Sequence, residues 1–491
     1  KKKTAKKKKK KKTEEKALIH NKDAQQQQQT TEDSPAKKKK KAFYEEHDIR
    51  VTSEDAIEPT LSFEAAPFSA ECRRLLRMAG YEAPTPTQAV SWPLVLKESD
   101  VISVAKTGSG KTLGFLLPAL HRLSLMPQVK IQGPCAPRCL VLAPTRELAT
   151  QIGEEASKFA PTFAARAATV YGGSPKWEQA RRVKTLGGRA LLVGTPGRVH
   201  DFLQERKLSL ARLEVLVLDE ADRMLDLGFE PQIRQILDHS TTLGRRQTLL
   251  FTATWDAKIQ KVARTLMVGP RLATVFFGDS SSGKLLANED VSQYVKVLSQ
   301  PSHKRDEALR YVRDLLTTSP NFTKVIVFVA TKRSCDGLAN AIYDQCSELV
   351  DALHGDKEQW QRDAVIAQFK TGALQILVAT DVAGRGLDIP DVAHVVNFDM
   401  PLKIENYCHR IGRTGRAGKH GIASTFLTPD DEPLFYELYQ YLEQTGASVP
   451  AALEHHPASH AKPGERNDRG ELLTDRASRG KVEYLKEKTF A

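Results

Sequence analysis

A glycine-rich turn between an apolar segment and a helical one is the first stretch suited to chemistry. It has the sequence "AKTGSGKT", Ala105 to Thr112, after "VISVA" and before "LGFLLPALHRL". The spacing fits the phosphate-binding loop G-x-x-x-x-G-K-[ST], with Ala105 at the first glycine position. Such loops point backbone N–H groups at phosphate oxygens from the start of a helix. We therefore expect Lys111 to reach the β and γ phosphates of a nucleotide and Thr112 to bind magnesium, in a loop formed by Thr107, Gly108, Ser109, Gly110, Lys111 and Thr112.

Three acidic residues follow a second apolar segment, "VLVLDEADRM", Val215 to Met224. Repulsion among Asp219, Glu220 and Asp222 should raise their pKa values unless a cation compensates. A phosphate-binding loop needs one acid from a neighbouring strand for magnesium and one base for the attacking water. We assign Asp219 to the metal, directly or through water, and Glu220 to the water. A single acid here would be explained by an N-cap of the next helix, and this alternative stays open for Asp222.

Short apolar segments alternate with helical ones on both sides of these motifs. The candidate strands are "CLVLAPT", "ATVYGG", "ALLVGTP", "VLVLDE" and "TLLFTAT", followed later by "VIVFVAT", "LVDALHG", "LQILVATD", "VAHVVNFD" and "GIASTFLT". Continuous apolar strands with intervening helices predict parallel sheets covered on both faces. We expect two α/β domains, residues 42–277 and 291–447, joined by a linker at 278–290. A polar C-terminal extension follows at 448–491, extended or disordered from about His455.

The positive charge of the chain is concentrated at its N-terminus. Residues 1–41 hold 17 lysines against five acidic residues, which gives +12 of the net charge of +13. Lysine runs joined by glutamines cannot bury a core, so we expect a disordered tail. Its charge suits a polyanion or a nuclear import receptor, and a purely solubilising tail is the alternative.

Other compositional features narrow the class of protein. No apolar run approaches the roughly 18 residues that a membrane helix needs, so we expect a soluble, intracellular chain without a membrane partner. Six cysteines are scattered along the sequence, and only Cys135 and Cys139 lie close together. They lack the further ligands of a zinc site, so buried, reduced thiols are expected.

From about Phe63 to Thr428 the chain resembles the DEAD-box RNA helicases. Residues 219–222 spell the signature of that family. Its other motifs are matched in order by "GYEAPTPTQ" (80–88), "PTRELA" (144–149), "GG" (172–173), "TPGR" (195–198), "TAT" (252–254), "HGDKEQWQR" (354–362), "ATDVAGRGLDI" (379–389) and "HRIGRTGRAG" (409–418). The resemblance implies an α/β fold with two tandem RecA-like parallel-sheet domains.

The resemblance also implies a role for individual residues. Phe63 and Gln88 would stack on and read an adenine, Asp388 would contact the ribose, and Arg413 and Arg416 would be arginine fingers. RNA contacts would come from Pro144, Thr145, Arg146, Gly173, Thr195, Pro196, Gly197, Arg198, Gly355 and Thr380. Coupling between the nucleotide and RNA would involve Asp222, Thr252, Thr254, His409 and Arg410. We expect Asp222 to bridge toward the "TAT" threonines or the second-domain arginine turn.

The activity implied is that of an RNA-stimulated ATPase with ATP and Mg²⁺ as cofactors, which unwinds RNA duplexes locally or remodels RNA–protein complexes. An ATP-gated RNA clamp or assembly scaffold with little unwinding is the alternative. A translocating DNA helicase and a small-molecule kinase fit the motifs less well. No motif indicates oligomerisation.

The lysine-rich N-terminus, "FTATW" (251–255) and "YLKEKTFA" at the end are similar to the nucleolar branch of the family, which serves ribosome assembly. This resemblance implies pre-rRNA and pre-ribosomal particles as partners and a location in the nucleus and nucleolus.

The chain departs from the family pattern at three positions. Thr252 replaces a serine and keeps the hydroxyl, although its extra methyl group could alter coupling. Gly384 replaces an alanine and could loosen its loop. Thr87 stands where isoleucine is common, which puts little in doubt.

Overall fold

The structure is a computed structural model that divides the chain into two compact units, residues 1–49 and 50–491. The residues it describes are 35–53, 57–106, 108–129, 133–240, 246–267, 269, 271–278, 290–318, 324–346, 349–381, 389, 391–415 and 419–461. The expected linker at 278–290 therefore lies almost entirely outside the described residues.

Fourteen strands are found in the described residues. They are β1 (Ile49–Thr52), β2 (Asp100–Val104), β3 (Cys139–Leu142), β4 (Arg166–Val170), β5 (Ala190–Gly194), β6 (Val215–Leu218), β7 (Gln247–Thr252), β8 (Leu272–Phe277), β9 (Val291–Val297), β10 (Lys324–Val329), β11 (Val350–Leu353), β12 (Ile376–Thr380), β13 (Val392–Asn397) and β14 (Gly421–Leu427).

Helices connect most of the strands. They are α1 (Pro35–Glu46), α2 (Ala70–Met78), α3 (Pro86–Leu96), α4 (Lys111–Leu125), α5 (Arg146–Phe159), α6 (Lys176–Lys184), α7 (Pro196–Gln204), α8 (Ala221–Asp226), α9 (Glu230–Asp238), α10 (Ala257–Leu266), α11 (His303–Thr318), α12 (Lys332–Cys346), α13 (Gln359–Thr371), α14 (Ile404–Ile411), α15 (Phe435–Gln444), α16 (Ala451–Glu454) and α17 (Pro457–His460). Two 3₁₀ helices span Ala160–Phe163 and Pro429–Leu434.

Two sheets confirm the expected parallel α/β architecture with two RecA-like domains. The first has the strand order β1-β8-β2-β7-β6-β3-β5-β4, and the second has the order β11-β12-β10-β13-β14-β9. The described pairings from β2 to β8 and from β9 to β14 are parallel, for example Leu216 with Thr248 between β6 and β7. Because the carboxyl ends of parallel strands meet at one edge, the loops that follow β2 to β7 converge on the same edge of the first sheet.

The apolar segments of the sequence form the cores of both sheets. Every residue of β2, β3, β5, β6 and β7 is buried. Burial of a leucine or valine side chain stabilises a fold by about 1.5–3 kcal/mol, so these strands hold the site-forming loops on a rigid support.

Strands β1, β8 and β9 were not expected from the sequence. In β8 the exposure alternates along "LATVFF", and in β9 it alternates along "VSQYVKV". Such half-exposed strands lack the continuous apolar run by which the other strands were recognised.

The prediction of a disordered segment through residue 41 is wrong for its last residues, because residues 35–41 lie in α1. Lysine and alanine are good helix formers. Lys41 lies 3.8 Å from Glu45 one turn later, which adds a weak ion pair. Residues 1–34 lie outside the described part of the chain.

The expectation of an extended or disordered end from His455 is also wrong for its first residues. Helix α17 follows directly, and Ala458 and Ser459 within it are buried. The Ser459 hydroxyl donates to the Leu453 carbonyl at 2.6 Å, and Leu453 and Ala458 join the core around Tyr407 and Tyr441. Residues 462–491 fall outside the description.

Two smaller expectations concern membranes and thiols. None of the helices described here has the length and apolar character needed to cross a bilayer. Cys72, Cys135, Cys139 and Cys335 are buried free thiols, as expected, and Cys408 is half-buried. Burial raises the pKa of Cys72 and Cys135 to about 11 and that of Cys139 and Cys335 to about 12.

Candidate functional site

The glycine-rich loop lies between β2 and the N-terminus of α4. Gly108 and Gly110 have φ values of 79° and 83°, in the left-handed region that favours glycine. Lys111 is 7% exposed and its Nζ donates to the Ala105 carbonyl at 2.9 Å, which folds the side chain back over the loop. Thr112, one residue into α4, is half-buried, and Thr107 is outside the described residues. This is the geometry of a phosphate cradle at a helix N-terminus.

Helix α3 is tied to this loop through a capping box. Thr85 Oγ1 accepts from the Gln88 backbone N–H and donates to the Ser109 carbonyl at 2.9 Å. The Gln88 side chain accepts from Thr85 N–H and donates to the Gly110 carbonyl at 3.2 Å. Gln88 therefore connects the helix to the phosphate loop, and its role in reading an adenine stays a prediction.

Phe63 is placed in the core next to this helix. It is 2% exposed, and its ring centroid lies 6.2 Å from that of Trp92. A ring this buried has almost no accessible face for stacking on a base, so the predicted stacking role stays a prediction. Stacking on an adenine would require the Phe63 ring to move out of this buried position.

Asp219 directly follows β6 and is a buried carboxylate. It is 3% exposed, and burial raises its pKa to about 7, while Lys111 opposes the rise and Glu220 adds to it. Desolvation is the larger cause of this rise in pKa, ahead of the mutual repulsion that the sequence predicts. A divalent cation at Asp219 would lower this pKa and keep the carboxylate ionised.

Glu220 has the left-handed conformation that non-glycine residues rarely adopt, with φ 50° and ψ 54°. Its N–H donates to Asp219 Oδ1 at 3.0 Å. It precedes α8 without a side-chain capping bond. Strained backbone of this kind is found preferentially at functional sites, and here it turns the chain sharply between the two acids.

Asp222 is the most connected carboxylate of the motif and is 6% exposed. Its Oδ2 accepts from Ala253 N–H at 3.1 Å, from Thr254 N–H at 3.2 Å and from the Thr254 hydroxyl at 3.3 Å. Oδ1 accepts from its neighbour's N–H. The expected bridge to the "TAT" loop is present through Thr254. Thr252 is fully buried and its hydroxyl donates to the Thr254 carbonyl at 3.0 Å instead.

The second domain reaches the same carboxylate through His409. His409 Nε2 lies 3.8 Å from Asp222 Oδ2. Burial lowers the pKa of His409 to about 3, with nearby Arg223 as the next cause. The imidazole is therefore neutral near pH 7, and the approach is a polar contact between the domains and not an ion pair.

The arginines of the second domain differ in their surroundings. Arg410 makes a bidentate pair with Asp381, at 2.6 Å and 2.9 Å, and donates to the Asp399 carbonyl at 2.6 Å. These bonds hold the second-domain arginine turn in place, so Arg410 supports this turn from the interior of the domain. Arg413 is 5% exposed and its Nε donates to the His409 carbonyl at 3.2 Å. Arg416 and Asp388 lie outside the described residues.

The "PTRELA" and "GG" segments meet at one point. Pro144 is buried, and Thr145 caps α5 by accepting from Leu148 N–H at 3.2 Å. Arg146 donates to the Gly172 carbonyl and its guanidinium lies 5.1 Å from the Tyr171 ring centroid. A Cβ on Gly173, whose φ is 75°, would collide with the Arg146 guanidinium. The positive φ favours glycine here, whereas the long Arg146 side chain can move aside.

The "TPGR" segment forms the start of α7. Thr195 precedes the helix without a side-chain capping bond, and Pro196 occupies the first turn. A Cβ on Gly197 would meet no atom within 4 Å, so this backbone is open to a ligand. Arg198 is 6% exposed and donates to the Ser174 carbonyl at 3.1 Å, which places it under the surface.

The remaining predicted RNA contacts lie in the second domain. A Cβ on Gly355 would touch only the Lys332 side chain, at 3.8 Å, so this turn is open. Thr380 ends β12 and is 6% exposed.

Three contacts between the domains were not predicted. Glu147, next to Arg146 in α5, forms an ion pair with Arg362 of α13. Arg223 donates to Asn406 at 2.6 Å. Lys403 pairs with Asp226 at 3.1 Å. Each joins residues that are far apart in the sequence, and no spacing along the sequence indicates such a pair.

The arrangement suits a nucleotide with magnesium. Among the described residues no group of three or more His, Cys, Asp or Glu side chains converges to hold a metal ion. Mg²⁺ characteristically takes one or two protein ligands and completes its shell with phosphates and water. Thr112 and Asp219 provide such a partial set. The Ser109 hydroxyl is buried without a hydrogen-bond partner, and it lies in the loop that would face phosphate.

Comparisons with known proteins agree with a site for a nucleotide and magnesium. The family described as "DEAD/DEAH box helicase" matches residues 85–262, and "Helicase conserved C-terminal domain" matches residues 307–418. The chain is 43% identical over 434 residues to "DEAD-box ATP-dependent RNA helicase 40" of Oryza sativa subsp. japonica, covering 88% of this chain and 52% of the rice protein. It is 40% identical over 434 residues to "ATP-dependent RNA helicase DBP2" of Debaryomyces hansenii, covering 87% and 78%.

A solved structure shares the two-domain fold. Mss116p bound to single-stranded RNA and AMP-PNP superposes with a TM-score of 0.70 at 26% identity, over 84% of this chain and 85% of the other. The present chain thus spans about half the length of the rice relative and most of the length of the superposed one.

Proposed function

The chain belongs to the DEAD-box helicase family, and on that basis we propose that it is an ATP-dependent RNA helicase that locally unwinds RNA duplexes or remodels RNA–protein complexes. The observation that most supports the proposal is the position of Asp222. One carboxylate bonds the "TAT" loop and lies beside His409 of the second domain. A change at the nucleotide can therefore reach both domains.

Hydrolysis is proposed to use the groups at the end of β6 and in the glycine-rich loop. Lys111 binds the β and γ phosphates, Thr112 and Asp219 hold Mg²⁺, and Glu220 orients the attacking water. Mg²⁺, when bound, neutralises charge that develops on the phosphoryl oxygens. Arg413 and Arg416 bring positive charge to the same oxygens from the second domain. Because these arginines come from another domain, hydrolysis requires a closed cleft.

The energy for unwinding comes from differential affinity. ATP can drive closure only if it binds the closed arrangement more tightly than the open one. The contacts of Glu147, Arg223 and Asp226 with the second domain require the two domains to lie together, so we propose that they add to the preference that ATP creates.

RNA is proposed to bind along the loops at the same edge of the sheets. The open backbone at Gly197 and Gly355 and the N-termini of α5 and α7 suit phosphates and 2′-hydroxyls. Contacts of this kind position the strand without reading its bases. The recognition is therefore sequence-tolerant.

We further propose a role in pre-rRNA processing and ribosome assembly, with pre-ribosomal particles as partners and a nuclear and nucleolar location. The support is the lysine tract of residues 1–41, which suits both an import receptor and RNA. The names of the relatives given above mention RNA helicases and no assembly step, so this finer proposal rests on the tail.

Two assays on the purified chain test the proposal together. ATP hydrolysis is measured alone, with single-stranded RNA and with single-stranded DNA, and release of a short RNA strand from a duplex is measured beside it. The expected result is hydrolysis stimulated by RNA and not by DNA, with ATP-dependent strand release. Hydrolysis with little release would favour the clamp or scaffold alternative, and absence of hydrolysis would contradict the proposal.

A further inference from the structure

Helix α6 presents an exposed face beside the "GG" turn that the motifs do not account for. Trp177, in its first turn, is 66% exposed. Arg181 and Lys184 follow on the same helix and are also exposed. Residues separated by four and by seven positions share one face of an α-helix. This face, the α6 stripe, therefore combines one large aromatic ring with two cationic groups.

The orientation of the α6 stripe is fixed relative to the predicted RNA elements. Gln179, 4% exposed, accepts from Tyr171 N–H at 2.9 Å and donates to the Tyr171 carbonyl at 3.0 Å. Tyr171 directly precedes the "GG" turn and lies against Arg146. Lys176 pairs with Asp201 of α7 at 3.0 Å. Helix α6 is thus joined to the "PTRELA", "GG" and "TPGR" segments.

The composition of the stripe indicates the kind of partner. Trp92, by contrast, is fully buried and its indole N–H donates to Leu113. Within the part of the chain that the structure describes, neither Arg181 nor Lys184 forms an ion pair or side-chain hydrogen bond. Their charges therefore remain available to an anion. An exposed ring next to cations that follow a phosphate backbone is the general composition of single-strand binding sites.

We propose that Trp177, Arg181 and Lys184 form an additional subsite for an unpaired RNA strand. The indole stacks on one base, and the two cations contact neighbouring phosphates. The subsite rests on the proposed function, because it continues the RNA path past the "GG" turn. It adds a contact with a base, which the backbone-directed motifs do not make, and it requires an unpaired strand because paired bases in a duplex do not expose their faces.

The test measures the dissociation constant of an oligoadenylate of about 20 nucleotides and of an equally long strand that lacks bases, in the presence of AMP-PNP. Because stacking of a base on an aromatic side chain contributes to single-strand binding, Trp177→Ala should weaken oligoadenylate binding about tenfold. The abasic strand should bind this variant as it binds the wild type. Trp177→Phe should keep most of the affinity, which separates stacking from loss of folding.

The cationic half of the stripe has its own readout. Arg181→Ala with Lys184→Ala should reduce the slope of log affinity against log salt by about 1.4, since each phosphate contact on a single strand contributes about 0.7. Tyr294→Ala is the matched control, because Tyr294 is a 58% exposed aromatic residue on β9, away from the predicted RNA loops. It should change neither affinity nor slope.

Two outcomes would overturn the subsite while leaving the proposed function intact. One is an oligoadenylate affinity of Trp177→Ala that stays within about twofold of wild type, because the loss of one stacked base should weaken binding by more than that. The other is an equal loss on the oligoadenylate and the abasic strand. If the wild-type chain neither binds RNA nor hydrolyses ATP faster with RNA, the proposed function fails and the subsite fails with it.

Discussion

Glu220 has a backbone conformation that non-glycine residues rarely adopt, and it lies between Asp219, which we propose holds the metal, and Asp222, which we propose couples the domains. The left-handed turn directs Asp219 toward Lys111 and lets α8 begin at once, so that Asp222 reaches the "TAT" loop. The sequence predicted that three adjacent acids would have separate roles. It could not predict the left-handed turn, since glutamate has no preference for that region.

At Glu220, replacement of the carboxylate by an amide should abolish turnover without loss of binding. Glu220→Gln keeps the size of the side chain but removes the base that orients water, and such bases contribute about 10²–10⁴-fold to rate. ATP hydrolysis measured with RNA should fall by about that factor, while nucleotide and RNA affinities stay near wild type. Glu230→Gln, in the first turn of α9, where the carboxylate pairs with Arg234 one turn later, is the control. Wild-type turnover in Glu220→Gln would contradict the assignment.

At Asp219, the raised pKa makes a prediction about stability and pH in the absence of metal. Because the pKa is about 7 in the folded chain and about 3.9 in an unfolded one, the ionised form destabilises the fold. The cost is absent below about pH 4, grows as the pH rises toward 7 and is then constant.

Asp219→Asn should therefore raise the melting temperature of the nucleotide-free chain in EDTA at pH 8, and by less at pH 5. The gain in free energy of unfolding is at most about 4 kcal/mol at pH 8, since one pKa unit corresponds to about 1.4 kcal/mol. The control Asp238→Asn, at an exposed position, should show no such pH dependence. An equal or larger gain at pH 5 would refute the buried-charge explanation.

At Asp222, an asparagine side chain cannot provide the two acceptor oxygens that the carboxylate provides. Oδ1 accepts from Arg223 N–H while Oδ2 accepts three bonds from Ala253 and Thr254, and an amide has only one acceptor oxygen. Asp222→Asn should lower strand release by at least about tenfold, the factor equivalent to one lost buried hydrogen bond of about 1.4 kcal/mol. ATP affinity should change little. Equal losses in ATP binding and strand release would argue against a coupling role.

At the scale of elements, the loops that follow β2 to β7 converge because the strands are parallel and share one edge. Apolar runs such as "VLVL" predicted this arrangement directly. The half-exposed β8 and β9, and the short helices α16 and α17 on either side of His455, were not recognised. Helices α16 and α17 are held by Leu453 and Ala458, which pack in the core around Tyr407 and Tyr441, and local sequence does not reveal this packing.

The hydrogen-bonded contact between α3 and the glycine-rich loop leads to a prediction at the scale of elements. A Cβ on Gly110 would lie 2.7 Å from both Gln88 Nε2 and Thr85 Oγ1, at a φ of 83°. Gly110→Ala should destabilise the chain by more than about 1 kcal/mol and weaken nucleotide binding at least about tenfold, because the loop and α3 must separate. Gly337→Ala, where no atom lies within 4 Å, is the control. Unchanged ATP affinity in Gly110→Ala would show that the contact between α3 and the loop does not determine the geometry of the nucleotide site.

At the scale of the whole molecule, contacts such as Glu147 with Arg362 join the two domains. Both residues lie inside motifs that the sequence analysis identified, yet their pairing depends on how two separately folded sheets come together. The motifs therefore predicted which loops form the site and left their mutual contacts undetermined. The contacts explain how an element assigned to RNA in one domain can sense its counterpart in the other.

The N-terminal tail leads to a prediction at the scale of the whole molecule. Deletion of residues 1–34, which ends before α1, removes a lysine-rich segment that suits phosphate contacts made without regard to sequence. RNA affinity should fall and its dependence on salt should become shallower, while ATP turnover at saturating RNA stays within about twofold, because no residue of the hydrolytic site is removed. A tail of equal length with glutamine in place of lysine is the control. An unchanged salt slope would limit the tail to targeting or solubility.

The buried thiols have a practical consequence for observing domain closure. Maleimide dyes react with thiolates, and burial raises the pKa of Cys72, Cys135, Cys139 and Cys335 far above neutral pH. Cysteines introduced on the exposed faces of the two domains would therefore react well ahead of these four. Once Cys346 and the half-buried Cys408 are replaced, the chain is suited to two-colour fluorescence measurements in which the distance between its domains is followed through each cycle of ATP.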